Sequence, residues 1–444
     1  METDKQSTPE QGQFLEELKK FQEEHQRLSV LFSITRNISP ELQLDKLLFL
    51  IMDEVKKALN ADRCTVFLLD EDRHELWSKV AHGEKEIRFP SHLGIAGHVA
   101  TTGEVLNIPD AYADARFNRD IDKKTGYHTR NMLTFPMRNK RAEIIGVFQV
   151  LNKLDGPFTT EDEELLDAIS AISATQIENA QLYEQQKKTF NSFVETLAST
   201  IDARDPLTAG HSKRIALYSD EIAKIVNMSP QKREVLRFAA MLHDYGKIAV
   251  REAVLCKNGK LTEEEYHHIQ SHPAFTKSIL EKINFTKELQ DLPKIAASHH
   301  EKMDGSGYPC GLKNGEIPPE GRILAVVDVF DALTSKRHYR DRMEFVKVME
   351  ILENASGTHF DKVFVDAFKR IHLDRLITIL EDDSLEKVSN QDLSYLANYT
   401  VNDVLEVLRK GPAFDEEYRL VELFTKYYRR EYLKSSEQVD SKSV

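Results

Sequence analysis

The sequence has few cysteines, no long apolar run and no excess of positive charge. Its 444 residues include only Cys64, Cys256 and Cys310, which lie far apart and in no zinc-binding spacing. We therefore expect no disulfide and a reducing, cytoplasmic location. No stretch approaches about 18 consecutive apolar residues, so no transmembrane helix is predicted. The first residues are polar, and we expect no secretory signal.

The balance of charges excludes one broad class of function. Lys and Arg together number 60 and Asp and Glu 73, which gives a formal net charge of −13. Proteins that bind nucleic-acid backbones or anionic membranes usually carry positive charge. We therefore expect neither a nucleic-acid polymer nor a membrane as partner. A small anionic ligand in a local positive site stays possible, and the length suggests about three folded units.

The first part of the sequence predicts an α+β domain between helices. Apolar residues at Phe14, Leu18, Phe21, Leu28 and Leu31 indicate an amphipathic helix, with a short coiled coil over residues 1–27. Two apolar runs in the following residues have the composition of β-strands, at 64–69 and 144–151. The sequence therefore predicts an α+β domain over residues 28–162.

A long helix is predicted over residues 163–202, because no Pro or Gly interrupts this segment. Its apolar residues follow a helical stripe: Leu165, Ile169, Ile172, Ile177, Leu182 and Phe190. An exposed stripe would pair with a second copy of the chain in a homodimer. The alternative is that the helix packs on its own domain.

The remaining sequence is almost wholly helical in character and contains a set of potential metal ligands. These are His211, His243, Asp244, His272, His299, His300 and Asp328. Imidazole and carboxylate groups ligate Fe, Mn or Zn. Several steps between them are 28 to 32 residues, which suits successive helices that project ligands toward one site. Two metals there would activate a water and neutralise a phosphodiester.

The segments LHDYGKIAV, SHHEKMDGSGYP and ILAVVDVFDALTSKRHYR resemble the HD-GYP domain, the branch of HD phosphohydrolases associated with cyclic di-GMP hydrolysis. The resemblance covers nearly all of residues 203–372 and implies an all-α bundle. It implies that the seven residues above ligate two divalent metals, Fe or Mn. It also implies catalytic roles for Asp244 and Lys247, and substrate phosphate contacts from Lys247, Arg337 and Arg340.

The resemblance further implies hydrolysis to pGpG, with GMP as a slower second product. Some family members bind a third metal through a Glu four residues before the first His; Leu207 stands there, so we expect two metals. The loop Gly307, Tyr308 and Pro309 is expected to shape a pocket wall or a partner surface. Another cyclic dinucleotide, or a weakly active scaffold that signals through protein partners, remains an alternative. Residues 373–444 form a helical extension of open role.

The segments LGIAGHVATTGEVLNIPD and GVFQVLNKLDGPFTTEDEELL resemble the GAF domains of cyclic-nucleotide phosphodiesterases and adenylate cyclases. The signature of the cyclic-nucleotide-binding subset falls on Asn152, Lys153, Phe158, Asp162 and Glu163. The resemblance implies an antiparallel sheet with flanking helices and a regulatory cAMP or cGMP. Its implied nucleotide contacts are Ile95, Ala96, Thr125 and Thr129.

We expect Lys153 and the acidic pair Asp162 and Glu163 to lock a loop to the following helix rather than to contact the ligand. Many GAF domains act only as dimerisation scaffolds, which is the alternative to nucleotide binding. The sequence thus predicts a multidomain protein in which a GAF sensor is joined by a long helix to an HD-GYP phosphodiesterase, with a homodimer formed through the linker helix and the GAF domain.

Overall fold

Residues 9–78, 86–205, 210–257, 259–335, 342–381 and 387–430 are described by the computed structural model of the chain. The chain divides into two units, Met1–Thr189 and Phe190–Val444. The first combines helices with a β-sheet, and the second is helical over its described residues. The predicted fold class, an α+β domain followed by an all-α domain, is confirmed.

The first unit is built on a six-stranded sheet. Its elements in chain order are α1 (Pro9–Ile38), α2 (Leu44–Ala58), β1 (Ala61–Asp70), β2 (Glu75–Ser78), β3 (Ile87–Pro90), α3 (Gly94–Thr102), β4 (Leu106–Ile108), α4 (Arg119–Thr125), β5 (Met132–Arg138), β6 (Ile144–Lys153) and α5 (Thr160–Arg204). The strand order is β3-β2-β1-β6-β5-β4, and every pair is antiparallel.

The two faces of this sheet carry different apolar clusters, because alternate side chains of a strand point to opposite faces. On β1, Val66 and Leu68 belong to the large cluster that includes residues of α1, α2 and α5. Phe67 between them packs with Ala96 and Val99 of α3 on the other face. The sheet therefore separates a helical layer from the face that carries the predicted nucleotide contacts.

Helix α5 has 45 residues, which corresponds to about 68 Å at 1.5 Å per residue. It begins at Thr160 and ends at Arg204, so it extends the predicted helix 163–202 at both ends. The expected exposed stripe for a dimer partner is wrong over most of its length. Ile169 and Ile177 are buried in the core of the first unit, with Leu165 and Ile172 against it.

Of the remaining stripe residues, Phe190 packs against the core of the second unit, and Leu182 is 57% exposed. A helix face that packs on its own sheet cannot at the same time pack on a partner. The alternative that the sequence left open, a helix packed on its own domain, accounts for the first half of the stripe.

The second unit contains thirteen named α-helices among its described residues. They are α6 (His211–Ile225), α7 (Pro230–Leu242), α8 (Glu252–Leu255), α9 (Glu263–Gln270), α10 (His272–Leu280), α11 (Leu292–Ala296), α12 (Pro319–Thr334), α13 (Phe345–Asn354), α14 (Lys362–Phe368), α15 (Leu373–Leu380), α16 (Asn390–Leu396), α17 (Val401–Lys410) and α18 (Asp415–Tyr428). Short 3₁₀ helices lie between some of them, including Tyr245–Ala249.

One apolar core joins the helices of this unit. Ile215 of α6 and Phe330 of α12 belong to the same buried cluster as Leu376 of α15 and Phe424 of α18. The described part of the extension after residue 372 therefore shares the core of the helices that carry the histidines. Among the described residues, no helix is both long enough and apolar enough to cross a membrane.

Candidate metal centre

The seven predicted ligands lie mostly at the ends of helices. His211 and His272 are the first residues of α6 and α10, and His243 directly follows α7. His299 and His300 lie in the turn after α11, while Asp328 is inside α12. The ligands thus come from successive helices, as their spacing indicated, but mostly from the helix ends.

The structure brings all seven side chains into one site. The Nε2 atom of His211 lies 3.3 Å from Asp328 Oδ1 and 3.8 Å from Asp244 Oδ2. His243 Nε2 lies 3.5 Å from Asp244 Oδ2, and His272 Nε2 lies 3.2 Å from Asp244 Oδ1. Asp244 therefore directs one carboxylate oxygen toward each half of the site.

His299 and His300 complete the second half. His299 Nε2 lies 3.1 Å from His272 Nε2 and 3.9 Å from Asp244 Oδ1, and His300 Nδ1 lies 4.0 Å from Asp328 Oδ2. The potential ligand atoms form three groups, each within 4.8 Å: His272, His299 and His300; His211, His243 and Asp328; and His243, Asp244 and His299. The groups His211–His243–Asp328 and His272–His299–His300 define two adjacent candidate ion positions. The group that contains Asp244 links the two positions.

Three of the histidines are oriented by the backbone. The Nδ1 atoms of His243, His272 and His299 lie 2.7, 2.8 and 2.7 Å from the carbonyl oxygens three residues earlier in the chain. A carbonyl bond at Nδ1 fixes the tautomer whose Nε2 lone pair is available to a metal. His243 Nε2 is buried and has no hydrogen-bond partner among the described residues. An unsatisfied buried nitrogen is costly unless an ion binds it, so the residues fit a metal site.

The ionisation of the site is set by burial and by neighbouring charges. Burial is the main reason that the pKa of His299 lies well below its ordinary value and that of His300 falls to about 4. Both imidazoles are therefore neutral near pH 7, as metal ligands must be. Burial alone would raise the pKa of Asp244, but the charge of Lys247 holds it well below its ordinary value.

Lys247 is held between two carboxylates at the edge of the site. Its Nζ atom lies 2.8 Å from Asp244 Oδ2 and 3.1 Å from Asp205 Oδ2. Burial alone would lower the pKa of Lys247, but these carboxylates raise it above its ordinary value. Lys247 is therefore a fixed ammonium next to a predicted metal ligand, and it shares a helical turn with Asp244 as the spacing predicted.

Gly246 permits the close contact between the HD segment and α10. A Cβ atom at Gly246 would collide with the backbone of His272 and Thr276. The buried Thr276 hydroxyl accepts a hydrogen bond from Gly246 N at 2.8 Å and donates one to His243 O at 2.9 Å. The glycine thus allows His243 and His272, which belong to different elements, to reach the same site.

The loop with Gly307, Tyr308 and Pro309 forms one wall of the site. The Tyr308 ring lies against His300, with ring centroids 4.8 Å apart and planes tilted by 34°. Gly307 approaches the backbone of His300, Glu301 and Lys302 so closely that a Cβ atom there would collide with it. The Tyr308–Pro309 peptide bond is cis. The loop contributes an aromatic wall.

Three residues of the sequence-based prediction lie outside the described residues. These are Leu207, on which the prediction of two rather than three metals depends, and the predicted phosphate contacts Arg337 and Arg340. Their roles stay predictions.

Four polar side chains near the site, three buried and Arg214 half-buried, were not predicted from the sequence: Asp205, Arg214, Glu301 and Asp331. Asp331 lies three residues after Asp328 on α12, a spacing that places two carboxylates on one helix face. Glu301 directly follows the histidine pair, and both of its oxygens accept backbone N–H groups of the loop, from Cys310 at 2.7 Å and Leu312 at 2.9 Å. Only the helical spacing of Asp331 could have identified a member of this set from sequence.

In the first unit, the predicted nucleotide contacts lie around α3 and α4. Ile95 and Ala96, in the first turn of α3, are each 4% exposed and belong to apolar clusters on that face of the sheet. Thr129 is buried, and its N–H and hydroxyl both donate to Asp122, at 2.7 and 2.9 Å. Thr125 is the last residue of α4, and its side chain is outside the described part of the chain.

The signature residues of the first unit join β6 to the start of α5. Lys153 Nζ forms an ion pair with Asp162 Oδ2, and Phe158 is buried in the core. Glu163 does not share this pair but accepts a hydrogen bond from Asn107 Nδ2 at 2.8 Å. Asn152 accepts a hydrogen bond from Arg130 N at 2.7 Å.

Comparison with known proteins identifies both units. Residues 43–177 match the GAF domain family, and residues 195–363 match the HD domain family. The chain therefore contains a GAF domain followed by an HD domain, in the order that the sequence predicted.

Curated relatives include phosphodiesterases of three kinds. The chain is 42% identical over 177 residues to the 3'3'-cGAMP-specific phosphodiesterase 3 of Vibrio cholerae, over 40% of this chain and 38% of that protein. It is 37% identical over 202 residues to a cyclic di-GMP phosphodiesterase of Thermotoga maritima, over 46% and 53%. It is 35% identical over 173 residues to a probable 3',5'-cyclic phosphodiesterase, pde-5, of Caenorhabditis elegans, over 36% and 24%. The chain thus spans about half or less of each relative.

Proposed function

We propose that the HD domain hydrolyses a 3′–5′ phosphodiester bond of a cyclic dinucleotide, with cyclic di-GMP as the first candidate substrate and pGpG as the product. The observation that carries this proposal is the convergence of seven histidine and aspartate side chains on one site with the geometry of two adjacent ion positions. The names of the relatives from V. cholerae and T. maritima support a cyclic dinucleotide as the substrate class.

The ligands divide between the two ion positions. His211, His243 and Asp328 would hold one ion, and His272, His299 and His300 the other, with the two oxygens of Asp244 shared between the two halves. Two bound divalent ions, Fe or Mn, supply Lewis acidity that activates a water and neutralises charge on the phosphodiester. The nitrogen and carboxylate donors are compatible with Fe and Mn, which are the metals that the family resemblance implies.

The protein's own groups position the phosphodiester. Asp244 and Asp205 account for two of the three donors of the Lys247 ammonium. The third donates to a phosphate oxygen of the substrate. Arg337 and Arg340 add bidentate contacts to the phosphates. Tyr308 covers His300 and limits the access of bulk water on that side.

The alternative substrate is a ring of one GMP and one AMP. The specific observation in its favour is the 42% identity to a protein named as specific for 3'3'-cGAMP. A second alternative is a weakly active scaffold that binds the cyclic dinucleotide and signals through protein partners.

The test is hydrolysis of both rings by the full chain loaded with Mn²⁺, with products separated by chromatography. We expect linear dinucleotide from the wild type and a loss of about 100-fold or more in the His243→Ala, Asp244→Ala double variant. His267→Ala is the matched control, because His267 is exposed and bonds Gln270 outside the site. Binding without product would support the scaffold, and faster turnover of the mixed ring would make it the substrate.

The GAF domain binds a regulatory cAMP or cGMP in this proposal. The site is the face of the sheet that carries α3 and α4, where Ile95, Ala96, Thr125 and Thr129 lie. The free N–H groups at the start of α3 suit a phosphate, while Thr129 is held by its two hydrogen bonds to Asp122.

The regulation would pass through α5 in a homodimer, with Leu182 and Tyr183 as the exposed contact residues of that helix. Calorimetric titration of the full chain with cAMP and with cGMP tests the ligand. Thr129→Val is expected to weaken binding at least tenfold, whereas Thr102→Val, at the far end of α3, serves as the control. Absence of binding by either nucleotide would leave the dimerisation-scaffold alternative. The cytoplasmic location stays a prediction from the cysteines.

A further inference from the structure

The His211 ring lies between two carboxylates of α12. Its Nε2 atom is 3.3 Å from Asp328 Oδ1, on the side of the candidate ions, and its Nδ1 atom is 2.8 Å from Asp331 Oδ2. Asp328 and Asp331 are three residues apart and therefore occupy the same face of the helix. One turn of α12 thus holds both nitrogens of a single imidazole.

Asp331 is itself fixed by three further hydrogen bonds. Arg214 donates from Nε to Oδ1 at 2.7 Å and from Nη2 to Oδ2 at 2.9 Å. The Ser335 hydroxyl donates to Oδ2 at 2.8 Å, and Arg214 Nη2 also reaches Ser335 Oγ at 3.0 Å. Asp331 is 1% exposed. Its carboxylate therefore has a single orientation, set from two helices.

This orientation determines which nitrogen of His211 is available. A carboxylate can only accept, so Asp331 holds a hydrogen on Nδ1. Nε2, which faces Asp328 and Asp244, is then the nitrogen that would donate its lone pair to a bound ion. In His243, His272 and His299, a backbone carbonyl oxygen holds the hydrogen on Nδ1 in the same way. At His211 the acceptor for Nδ1 is instead the carboxylate of Asp331.

From this geometry we infer that Asp331, held by Arg214 and Ser335, is a positioning residue that orients His211 for one of the two metal ions, the ion shared with His243 and Asp328. The inference rests on the proposed metal site. It predicts an effect confined to one ion, because His272, His299 and His300 of the other position have their own orienting contacts or neighbours and none of the contacts described above joins them to Asp331.

The competing explanation is that Asp331 only pairs with Arg214 to stabilise the fold. The same helix α6 offers a matched pair for comparison. Asp220 is bound by Arg233 in the same two-bond manner, at 2.8 and 3.0 Å, and this pair contacts no candidate metal ligand. Asp220→Asn therefore removes an arginine–carboxylate pair without touching His211.

In the experiment, the metal-free full chain is titrated with Mn²⁺, and binding is monitored by calorimetry and by electron paramagnetic resonance. The proteins compared are the wild type, Asp331→Asn and Asp220→Asn. In Asp331→Asn the amide oxygen is taken by Arg214, so the amide N–H group faces His211 Nδ1 and favours the wrong tautomer. We expect one of the two Mn²⁺ equivalents to bind about 10–100-fold more weakly and the other to be unchanged. In Asp220→Asn both equivalents should bind as in the wild type.

Ser335→Ala keeps the Asp331 charge and removes one of its supports. It should weaken binding of the same Mn²⁺ equivalent by less than tenfold. If circular dichroism shows that metal-free Asp331→Asn does not fold, Ser335→Ala provides the test of the positioning role. Equal weakening of both ions, or unchanged affinity in folded Asp331→Asn, would overturn the inference alone. A wild type that binds no metal would overturn the proposed function as well.

Discussion

Lys247 and Asp244 form a direct ion pair in the candidate metal centre, with Nζ 2.8 Å from Oδ2. Asp205 holds the other side of the same ammonium at 3.1 Å. The pair links a predicted substrate contact to a predicted metal ligand. Because both side chains are largely buried, the position of Lys247 relative to the ions is fixed before a substrate binds.

This arrangement predicts the effect of removing the Lys247 charge. Lys247→Met keeps the length of the side chain and loses the donor to the phosphodiester, so kcat/KM for the cyclic dinucleotide should fall about 100-fold. The metal content should stay close to that of the wild type, since the ligands remain. Lys257→Met, which removes an ion pair with Glu265 at 2.6 Å outside the site, is the control. An unchanged kcat/KM in Lys247→Met would contradict the proposed role.

Removal of the metals should destabilise the second unit. An ion present at 100 times its dissociation constant stabilises the folded state by about 2.7 kcal/mol. We therefore expect the unfolding temperature of the full chain to fall on chelation and to recover on addition of Mn²⁺. The His243→Ala, Asp244→Ala double variant should show neither change. A metal-dependent shift of the same size in the double variant would place the ions elsewhere.

Glu301 is predicted to hold the loop that carries Tyr308. Its two oxygens accept the N–H groups of Cys310 and Leu312 at 2.7 and 2.9 Å, and it is 3% exposed. Glu301→Ala should cost about 1–3 kcal/mol of unfolding free energy and should raise KM while the metal content stays constant.

The control for this loop variant is Glu316→Ala, because Glu316 accepts Lys313 N at 2.8 Å on the exposed side of the neighbouring turn. Steady-state kinetics and metal analysis on both variants provide the measurement. A lower metal content in Glu301→Ala would show that the residue acts on the ions rather than on the loop.

The ion pair of Lys153 with Asp162 should stabilise the GAF domain. Asp162 also accepts Thr159 N at 2.7 Å, so the pair fastens the loop before α5 to β6. Lys153→Met should lower the free energy of unfolding of this domain by about 1–3 kcal/mol, measured by denaturant titration. Lys123→Met, which breaks an exposed pair with Asp120, should change it little. Equal losses of unfolding free energy in the two variants would contradict a stabilising role for the Lys153–Asp162 ion pair.

The convergence of these histidines and aspartates on one site could be predicted from sequence, because many of them lie in short motifs such as His243-Asp244 and His299-His300. The contacts of Asp331 and Glu301 could not. The spacing of Asp331 from Asp328 indicates a shared helix face but not the partner Arg214, and Glu301 has no informative spacing at all. Arg214 and Asp331 are separated by 117 positions and meet only when α6 packs on α12.

The predicted exposure of the apolar stripe on α5 was wrong over most of its length for a related reason. An apolar helix face needs a partner, but its periodicity is the same whether that partner is a second copy or the chain's own sheet. Ile169 and Ile177 pack on their own sheet. The apolar periodicity likewise could not predict that the candidate ligands lie at helix ends, since helix boundaries depend on tertiary packing.

A metal count combined with turnover on the same preparation tests most directly whether the HD domain is a two-metal cyclic dinucleotide phosphodiesterase. The full chain is purified without oxygen, its metals are counted, and cyclic di-GMP and the mixed GMP–AMP ring are offered as substrates. We expect about two ions per chain, as the two ion positions require, and release of linear dinucleotide from at least one ring. Two bound ions without product from either ring would contradict the account.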